Sequence, residues 1–419
     1  MKPELFTGYQ TMTTKPTTMT LVWFAFLSML GFLATDMYLP AFSAMQSDLN
    51  TSSGLIGMTL SIFLLGMAIG QLVYGPLSDR LGRKKVLLGA MLLFSLATLG
   101  CAMAPSVEIL LTFRFLQALG ACSATVLWQA IVIDRYQGKI AEKVFATIMP
   151  LVALSPALAP LVGAAIQSHF GWRAIFLSLI VLGAALAVMT ACQPESAAKQ
   201  NNQEGEPTKI LAEMAINYRQ LFKSKKFIGN MMIFAACSAA FFAYLTGSPF
   251  VMSAMGYSSE DIGLSYIPQT IAFLVGGYGC RALLGRTEGR KILPWLLKLF
   301  ICSALVILVI TIQTQPDNIW PILIPFCFIA VANGAIYPIV ISKALEDFKQ
   351  CSATAAGLLN FLQTLGCFAA SSLVAAFAEK GLNIVAYSIA GTCVFVLIGF
   401  ALVVKNEHSE STVATASAS

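Results

Sequence analysis

Two ionisable residues lie inside long apolar segments of the sequence, where a charge is costly. Asp36 lies within the apolar segment 19–41, and Arg114 lies within the segment 107–134. A charge at mid-bilayer costs about 2.5–3.5 kcal/mol on the mildest scale, so each side chain needs a partner or a wet cavity. Two alternatives follow: a permanent Asp36–Arg114 salt bridge that only joins helices, or an aspartate that binds and releases a proton as its surroundings change. We favour the second alternative and assign Asp36 and Arg114 to proton coupling.

A second group of residues combines aromatic faces with amide and hydroxyl groups, which is the chemistry needed to bind an uncharged, ring-bearing solute. Tyr266, Gln269 and Phe273, for example, are spaced so that they share one face of a helix. Polar residues in a helix bundle also bridge neighbouring helices, so any single one of them can be purely structural. The predicted substrate-binding residues are Tyr38, Trp128, Gln129, Tyr244, Tyr266, Gln269, Phe273, Asn333, Tyr337, Asn360 and Gln363.

The elements that must position these residues are apolar helices. The chain has 419 residues, of which 57% are hydrophobic and only 11% are charged, and this composition excludes an ordinary soluble domain. About twelve segments are long enough to cross the ~30 Å hydrocarbon core of a bilayer. The sequence therefore predicts an all-α membrane protein with twelve transmembrane helices, arranged as two repeated bundles of six. The predicted helices are 19–41, 55–77, 84–104, 107–134, 141–168, 173–192, 226–254, 260–284, 291–314, 319–343, 353–378 and 383–404.

The polar segments divide the chain into five parts. A polar tail (1–18) precedes the first bundle (19–192), a hydrophilic linker (193–225) with a short amphipathic helix follows it, and the second bundle (226–404) precedes a last tail (405–419). The first apolar segment is too long for a cleavable signal peptide.

The positive charges indicate the orientation of the chain. Of the 26 Lys and Arg residues, only Arg173 and Lys380 fall in loops on the side opposite the segment 75–85. This imbalance predicts that both termini and the linker are cytoplasmic. The net charge of +6 is confined to such loops, so it favours membrane topology over nucleic-acid binding.

The segment 75–85 (Gly-Pro-Leu-Ser-Asp-Arg-Leu-Gly-Arg-Lys-Lys) gathers cations between two apolar segments. Gly75 and Gly82 are expected to let the backbone turn, and Asp79 is expected to pair with a cation or cap a helix. A positive-inside anchor would account for the composition alone. The order of residues, however, resembles the loop between the second and third helices of major facilitator superfamily transporters. The resemblance implies a gating motif formed by Gly75, Asp79, Arg80, Gly82 and Arg83.

Further segments resemble proton-coupled members of this superfamily. Asp36 with Pro40, and the run Arg-Phe-Leu-Gln-Ala-Leu-Gly-Ala from Arg114, are similar to motifs of the first and fourth helices of twelve-helix drug:proton antiporters. The segment 155–163 (Ser-Pro-Ala-Leu-Ala-Pro-Leu-Val-Gly) resembles the antiporter motif of the fifth helix, with Ala159 where that motif usually has Gly. Ser28 stands where some multidrug members have a second carboxylate, which argues for neutral substrates coupled to one proton.

The most specific resemblance is to the bicyclomycin/chloramphenicol-resistance subfamily. Within it, the segments 245–250, 262–270, 276–281 and 324–338 look similar to bacterial purine nucleoside transporters. This resemblance implies a proton-coupled secondary transporter of the bacterial inner membrane that moves purine nucleosides by alternating access as a monomer. The alternative is a multidrug efflux pump that exchanges drugs for protons.

An enzyme is not expected from this sequence. Both histidines, His169 and His408, lie outside the predicted spans, and the cysteines show no paired spacing. We therefore predict no cofactor, no metal site and no catalytic residue.

Overall fold

The structure is a computed structural model that describes residues 16–136, 139–194, 219–284, 286–314, 316–348 and 352–417. Within these ranges every regular element is helical. Twelve long helices follow one another along the chain: α1 (Thr18–Asp36), α2 (Ser53–Leu81), α3 (Arg83–Ala102), α4 (Val107–Arg135), α5 (Lys139–Phe170), α6 (Trp172–Ala191), α7 (Lys225–Ala254), α8 (Ser259–Leu284), α9 (Gly289–Thr314), α10 (Trp320–Leu345), α11 (Ser352–Ala376) and α12 (Leu382–Ser417). The predicted twelve-helix, all-α membrane fold is confirmed.

The twelve helices have the length that a membrane requires. Ten are long and apolar enough to cross it, and α5 is the eleventh although it is bent by 41° between Lys143–Met149 and Leu154–Phe170. Prolines at positions 150 and 156 flank this bend, and a proline breaks the helical hydrogen-bond ladder. The twelfth, α8, has 26 residues, and its Ser, Tyr, Gln and Thr residues lower its hydropathy.

The first predicted helix, 19–41, is shorter in the structure. Helix α1 ends at Asp36, and a 3-10 turn (Leu39–Ala41) and a short helix (Phe42–Asp48) follow it. Pro40 accounts for the break, because proline has no N–H to donate and disfavours the α conformation at the residue before it. The break places Asp36 at a helix end instead of within a helix.

The segment 75–85 turns at one glycine only. Helix α2 continues through Gly75 to Leu81, so the expectation that Gly75 turns the backbone is wrong. Gly82 makes the turn with φ 93°, a conformation that side chains of L-residues disfavour, and α3 begins at the next residue. Gly289 begins α9 in the corresponding place of the second half. We call the surface that carries the Gly82 turn the turn face, and the other surface the far face.

The two halves of the chain pack in the same pattern. In each half the second helix packs on the fourth and the third packs on the sixth, that is, α2 on α4 and α3 on α6, then α8 on α10 and α9 on α12. Between the halves, α2 packs on α11 and α5 packs on α8, which are equivalent pairs under exchange of the halves. Helices α6, α9 and α12 have only 33% of their central residues buried, against 67% for α7, so they form the outer, lipid-facing layer.

The last tail and the linker differ in part from the prediction. Helix α12 continues to Ser417 and so passes its predicted end at 404 into the segment predicted as the last tail. Residues 1–15 and 195–218 lie outside the described residues, and with them the first tail and most of the amphipathic helix predicted in the linker. Within the linker, Leu221 is buried and Ser224 caps α7 by accepting a hydrogen bond from the Phe227 N–H.

Candidate functional site

Arg114 is fully enclosed by aromatic rings and backbone. Its guanidinium carbon lies 4.1 Å from the centre of the Tyr38 ring and 4.2 Å from that of Phe63. One of its terminal nitrogens donates to the carbonyl oxygen of Ala34 at 2.9 Å and to Oε1 of Gln117 at 2.6 Å. Its Nε and its other terminal nitrogen have no hydrogen-bond partner among the described residues. Cation–π contacts therefore stabilise much of this buried charge.

Asp36 does not form the salt bridge with Arg114 that was one of the two alternatives. Its carboxylate makes no ion pair with any residue that the structure describes. The residue is only 4% exposed, and Arg114 and the Tyr266 hydroxyl are its neighbours in electrostatic range. Because Tyr266 belongs to α8, Asp36 lies where the two halves meet. A buried carboxylate without an ion-pair partner is suited to carry a proton.

Tyr38 connects Asp36 and Arg114 to α2. Its hydroxyl lies 3.0 Å from Oγ1 of Thr59, which itself donates to the carbonyl of Ile56 at 2.6 Å. Thr59 has a single hydroxyl proton, so Tyr38 is the donor of the pair. The Tyr38 ring also lies edge-on to Phe42 at 5.1 Å. This network fixes the ring that covers the guanidinium.

Three of the predicted binding residues of the second half carry buried polar atoms without a partner among the described residues. These are the hydroxyl of Tyr244, Oε1 of Gln269 and Oδ1 of Asn333, and each of the three residues is 1% exposed. An unsatisfied buried polar group costs about 1–3 kcal/mol, so each of these atoms needs a partner, which a bound solute or a water molecule can supply. Tyr244 also stacks on Phe326 at 3.8 Å between ring centres, and Ser248 lies 3.5 Å from the hydroxyl of Tyr266.

A neighbouring group lies further toward the turn face. The amide nitrogen of Asn333 donates to the carbonyl of Cys237 at 3.2 Å, and Ser238 donates to the hydroxyl of Tyr337 at 3.0 Å. The Tyr337 ring lies edge-on to Phe273 at 5.9 Å. The structure thus brings together the predicted residues of α7, α8 and α10 in one layered polar and aromatic surface.

The other predicted binding residues lie apart from this surface or contact it from elsewhere. Trp128 and Gln129 follow Arg114 on α4 at a rise of 1.5 Å per residue, so they lie about 21 Å from it toward the turn face. Trp128 is buried against Phe145 at 5.4 Å between ring centres, and Gln129 is exposed. They do not share a site with Tyr38, although they were assigned to one. On α11, Asn360 is exposed and Gln363 donates to the sulfur of Cys367 at 3.4 Å.

The halves contact each other through small residues and hydroxyls on α2 and α11. The Ser61 and Ser371 hydroxyls lie 2.7 Å apart, and Ser371 lies 2.8 Å from Oγ1 of Thr246. Thr246 donates its proton to the carbonyl of Phe242, so Ser371 donates to Thr246 and Ser61 donates to Ser371. Nearer the far face, a Cβ on Gly54 would lie 2.6 Å from the carbonyl oxygen of Ala375.

The segment 155–163 forms the other contact between the halves. A Cβ on Gly163 would lie 2.9 Å from Cα of Met37 and closer still to its carbonyl group. The same segment also contacts the second half, because a Cβ on Gly263 of α8 would lie 3.2 Å from the carbonyl oxygen of Pro160. Helix α5 is therefore in close contact with both the break after Asp36 and the second half.

In the predicted gating motif, Arg83 binds within the first half. Its Nε donates to Oδ2 of Asp134 at 3.1 Å, and it also donates to the hydroxyl of Ser78. Arg135, the sequence neighbour of Asp134, donates to Oε1 of Gln193 and to the carbonyl of Pro194. The side chains of Asp79 and Arg80 lie outside the described part of the chain, so their predicted gating role stays a prediction.

A cavity of about 570 Å³ opens at the far face, between the short helix after α1 and the ends of α7, α11 and α12. Ser43, Ser53 and Ser253 line it, and Glu379 is its charged residue. It reaches Thr246, the end of the hydroxyl chain between the halves, but none of the predicted binding residues. The cavity therefore lies on the far-face side of the contact between α2 and α11, and it is not the predicted binding site.

Several residues at the site were not predicted from the sequence. Gln117 lies three residues after Arg114 and so on the same helix face, a spacing that could have identified it. Phe63 and Phe326 supply rings to Arg114 and Tyr244, and they have no sequence signal that separates them from the other 26 phenylalanines.

Known proteins share this architecture. The Major Facilitator Superfamily model matches residues 24–371. The crystal structure of a D-xylose-proton symporter superposes with a TM-score of 0.72, covering 90% of this chain and 96% of that one at 17% identity, which shows the shared fold.

Three of the similar curated proteins are named as drug-resistance proteins of bacteria. Multidrug resistance protein D of Escherichia coli is 29% identical over 84% of this chain and 87% of its own length. A chloramphenicol resistance protein of Pseudomonas aeruginosa is 31% identical over 78% of this chain and 76% of its own, and a bicyclomycin resistance protein homolog of Haemophilus influenzae is 28% identical over 80% and 83%.

These names agree with the predicted subfamily and favour the drug-efflux alternative over nucleoside transport. The resemblance to purine nucleoside transporters gains no support from these three relatives. The chain is a multi-pass membrane protein that belongs to the major facilitator superfamily of small-molecule transporters.

Proposed function

We propose that this protein exports neutral, drug-like molecules across the bacterial inner membrane in exchange for protons. The observation that carries the proposal is the isolated acid Asp36, buried between the two halves without an ion-pair partner among the described residues. Relatives named for resistance to chloramphenicol and bicyclomycin support the substrate class.

Proton coupling follows from the position of Asp36. The carboxylate is close to Arg114, but the guanidinium is committed to two aromatic rings and to Ala34 and Gln117. Small movements between the halves would change how much of the guanidinium charge Asp36 senses and whether water reaches it. Proton uptake and release would then accompany the exchange between the two access states.

The substrate would bind against the second half. The Tyr244 hydroxyl, the Gln269 Oε1 and the Asn333 Oδ1 offer one hydroxyl and two acceptors, and the stacked Tyr244–Phe326 pair offers a rigid aromatic wall. Neutral solutes with several hydroxyl or amide groups, of the chloramphenicol or bicyclomycin type, would satisfy these atoms. The absence of a second carboxylate at Ser28 argues against cationic drugs.

Purine nucleosides are the second candidate. They also combine a flat ring with hydroxyl donors, and a base could stack beside Tyr244 while its sugar reaches Asn333. The layered surface of α7, α8 and α10 is the observation that keeps this candidate, since it suits both classes. The proposed orientation, with both termini and the turn face in the cytoplasm, rests on the distribution of Lys and Arg. We also propose that the transporter works as a monomer.

The test is transport by the purified full-length protein in proteoliposomes with an imposed pH gradient. Radiolabelled chloramphenicol and a purine nucleoside are supplied in parallel. We expect substrate to move against the proton flow in the wild type, and Asp36→Asn to abolish gradient-driven accumulation while binding is retained. Asp261→Asn is the matched control, because Asp261 is exposed and its carboxylate accepts hydrogen bonds from Ser258 at the start of α8.

Gradient-driven accumulation by the Asp36→Asn variant at the wild-type rate would refute the role of Asp36. Transport of the nucleoside but not of chloramphenicol would instead make nucleosides the substrate class. The proposed role of Asp36 in proton coupling would not be affected by that result. Movement of substrate in the direction of the proton flow would overturn antiport.

A further inference from the structure

A cavity of about 380 Å³ lies on the outer side of the second half, away from the site described above. Helices α11 and α12 both pack on α7, and the cavity lies in the gap between them. Leu373, Tyr387 and Phe395 line it and are exposed, so it opens toward the bilayer. Small residues form much of the rest of its wall, and these are Ala235, Ala236, Ala239, Gly366, Ala370 and Gly391.

The cavity lies behind the contact between the halves and not within it. The residues of α11 that line it are three or four positions apart, so they share one face of the helix. Ser371 bonds to Ser61 of the first half from the other side of α11, about 150° around the helix from this face. The cavity is therefore outside the path between the halves, and the proposed transport cycle does not use it.

Ser388 of α12 brings a buried hydroxyl without a partner to this apolar wall. A serine or threonine within a helix often donates its proton to a carbonyl three or four residues earlier, as Thr392 does to Ile389 at 2.7 Å. Ser388 is 7% exposed, and its Oγ has no hydrogen-bond partner among the described residues. Such a group costs about 1–3 kcal/mol, and a ligand that bonds to Ser388 removes this cost.

The depth of Ser388 in the membrane limits what can bind to it. The span Leu382–Lys405 has 24 residues and is about 36 Å long, against ~30 Å for the hydrocarbon core. Ser388 is about 9 Å from the far-face end of this span, and hence about 6 Å inside the hydrocarbon. The polar part of a phospholipid stays in the interfacial layer, so only its acyl chains reach this depth. An acyl chain cannot bond to Ser388.

The wall also limits the charge of the ligand. The residues that line the cavity in the described part of the chain are uncharged, and a charged group at this depth is costly. Thr392 lies one turn after Ser388, and because its proton is already donated to Ile389, its oxygen can only accept. A hydroxyl group on the ligand can accept from Ser388 and donate to Thr392. Both hydroxyls of the wall are then satisfied by one group.

We propose that this cavity binds an uncharged lipophilic alcohol that is dissolved in the hydrocarbon core of the bilayer. The hydroxyl of the ligand bonds to Ser388, and its hydrocarbon part packs on the small residues of α7, α11 and α12. The site is separate from the transport path, so the proposal does not depend on the transported substrate.

The test is photolabelling of the purified full-length protein in proteoliposomes. The probes are 3-azioctanol, an alcohol with a photoreactive diazirine, and 3-azioctane, which differs only in lacking the hydroxyl. Both are supplied at equal concentration in the bilayer, and mass spectrometry identifies the labelled peptides. We expect the alcohol to label residues 387–395 about fivefold more than the alkane does, the factor for one net hydrogen bond. Val181 of α6, which is exposed outside the cavity, should be labelled equally by both probes.

Two substitutions test the residues. Ser388→Ala keeps the cavity but removes the hydroxyl, so both probes should label residues 387–395 equally. Gly391→Leu should reduce labelling by both probes to the level at Val181, because a Cβ at Gly391 meets nothing within 4 Å and the longer side chain fills the cavity. Gly279→Leu is the matched control, since its Cβ also meets nothing within 4 Å but the residue is on α8. Ser388→Ala decides alone if Gly391→Leu does not fold.

Equal labelling of residues 387–395 by the alcohol and the alkane in the wild type overturns the proposal without any variant. A preference for the alcohol that persists in Ser388→Ala also overturns it, because the hydroxyl of the probe would then bond elsewhere. Wild-type labelling of a folded Gly391→Leu variant would show that the probes only coat the lipid-facing surface.

Discussion

The close contact between Gly163 and the break after α1 yields the sharpest prediction. A Cβ at position 163 would lie 2.9 Å from Cα of Met37 and nearer still to its carbonyl group, where ordinary contacts start at 3.4 Å. Both partners are backbone, so no side chain can turn away. The contact with the carbonyl oxygen is the closest, so Gly163→Ala must separate α5 from residues 36–38 by more than about 1 Å. Overpacking of this kind costs about 1–3 kcal/mol or more.

The functional loss should exceed the loss of stability. Asp36 is the residue next to Met37, so the displacement moves the acid relative to Arg114 and Tyr266. Misplacing a functional group by about 1 Å can cost roughly 100-fold in rate. We expect Gly163→Ala to fold, to unfold at a lower temperature, and to lose pH-gradient-driven transport in proteoliposomes by tenfold or more.

Gly89→Ala is the control for this experiment. A Cβ at Gly89 meets nothing within 4 Å, and the position lies within α3. Alanine there should leave transport unchanged and be neutral or stabilising by up to about 1 kcal/mol. If Gly163→Ala transports and melts as Gly89→Ala does, then α5 does not hold the break after Asp36 in place, and our account of this segment is wrong.

Two further predictions concern the contacts of the buried Arg114 and the contact between the halves. Arg114→Lys keeps the charge, but a lysine cannot both lie between the Tyr38 and Phe63 rings and donate to Ala34 and Gln117. Transport should therefore fall at least about tenfold, while substrate binding, followed by tryptophan fluorescence, persists. Wild-type transport by this variant would mean that the contacts of Arg114 are only structural. Ser371→Ala removes the hydrogen bond from Ser61 on the other half, which is worth about 0.6 kcal/mol in a membrane bundle. Amide hydrogen exchange in residues 42–53 at the far face should therefore accelerate about threefold. An unchanged exchange rate would show that this bond does not hold the halves together.

The sequence predicted the helices well because each apolar segment must span a bilayer of fixed thickness. Every long helix begins within two residues of its predicted start. The three clear errors have local causes. Pro40 ends α1 before its predicted end at 41, α2 continues through Gly75 and past 77 to Leu81, and α12 continues past 404 to Ser417.

The sequence also located the buried charges and the polar residues of the candidate site, whose role stays a prediction, but it did not give their partners. Apolar context is enough to mark Asp36 and Arg114 as unusual. Helical periodicity assigns residues to a face, yet it gives no height relative to another helix. For this reason Trp128 was grouped with Tyr38, although the two lie far apart along the bundle.

By itself, then, the sequence determined the twelve spans, the duplication of the two halves, the family and the acid within the membrane, because hydropathy and motif order are properties of the linear chain. Only the tertiary structure decided that Arg114 is held by Tyr38 and Phe63 while Asp36 has no ion-pair partner among the described residues. It also decided that Tyr244, Gln269 and Asn333 each leave a buried polar atom without a partner among those residues. The physical reason is that an ion pair or a hydrogen bond depends on distances of a few ångströms between residues far apart in sequence, and these distances are set by how the helices pack.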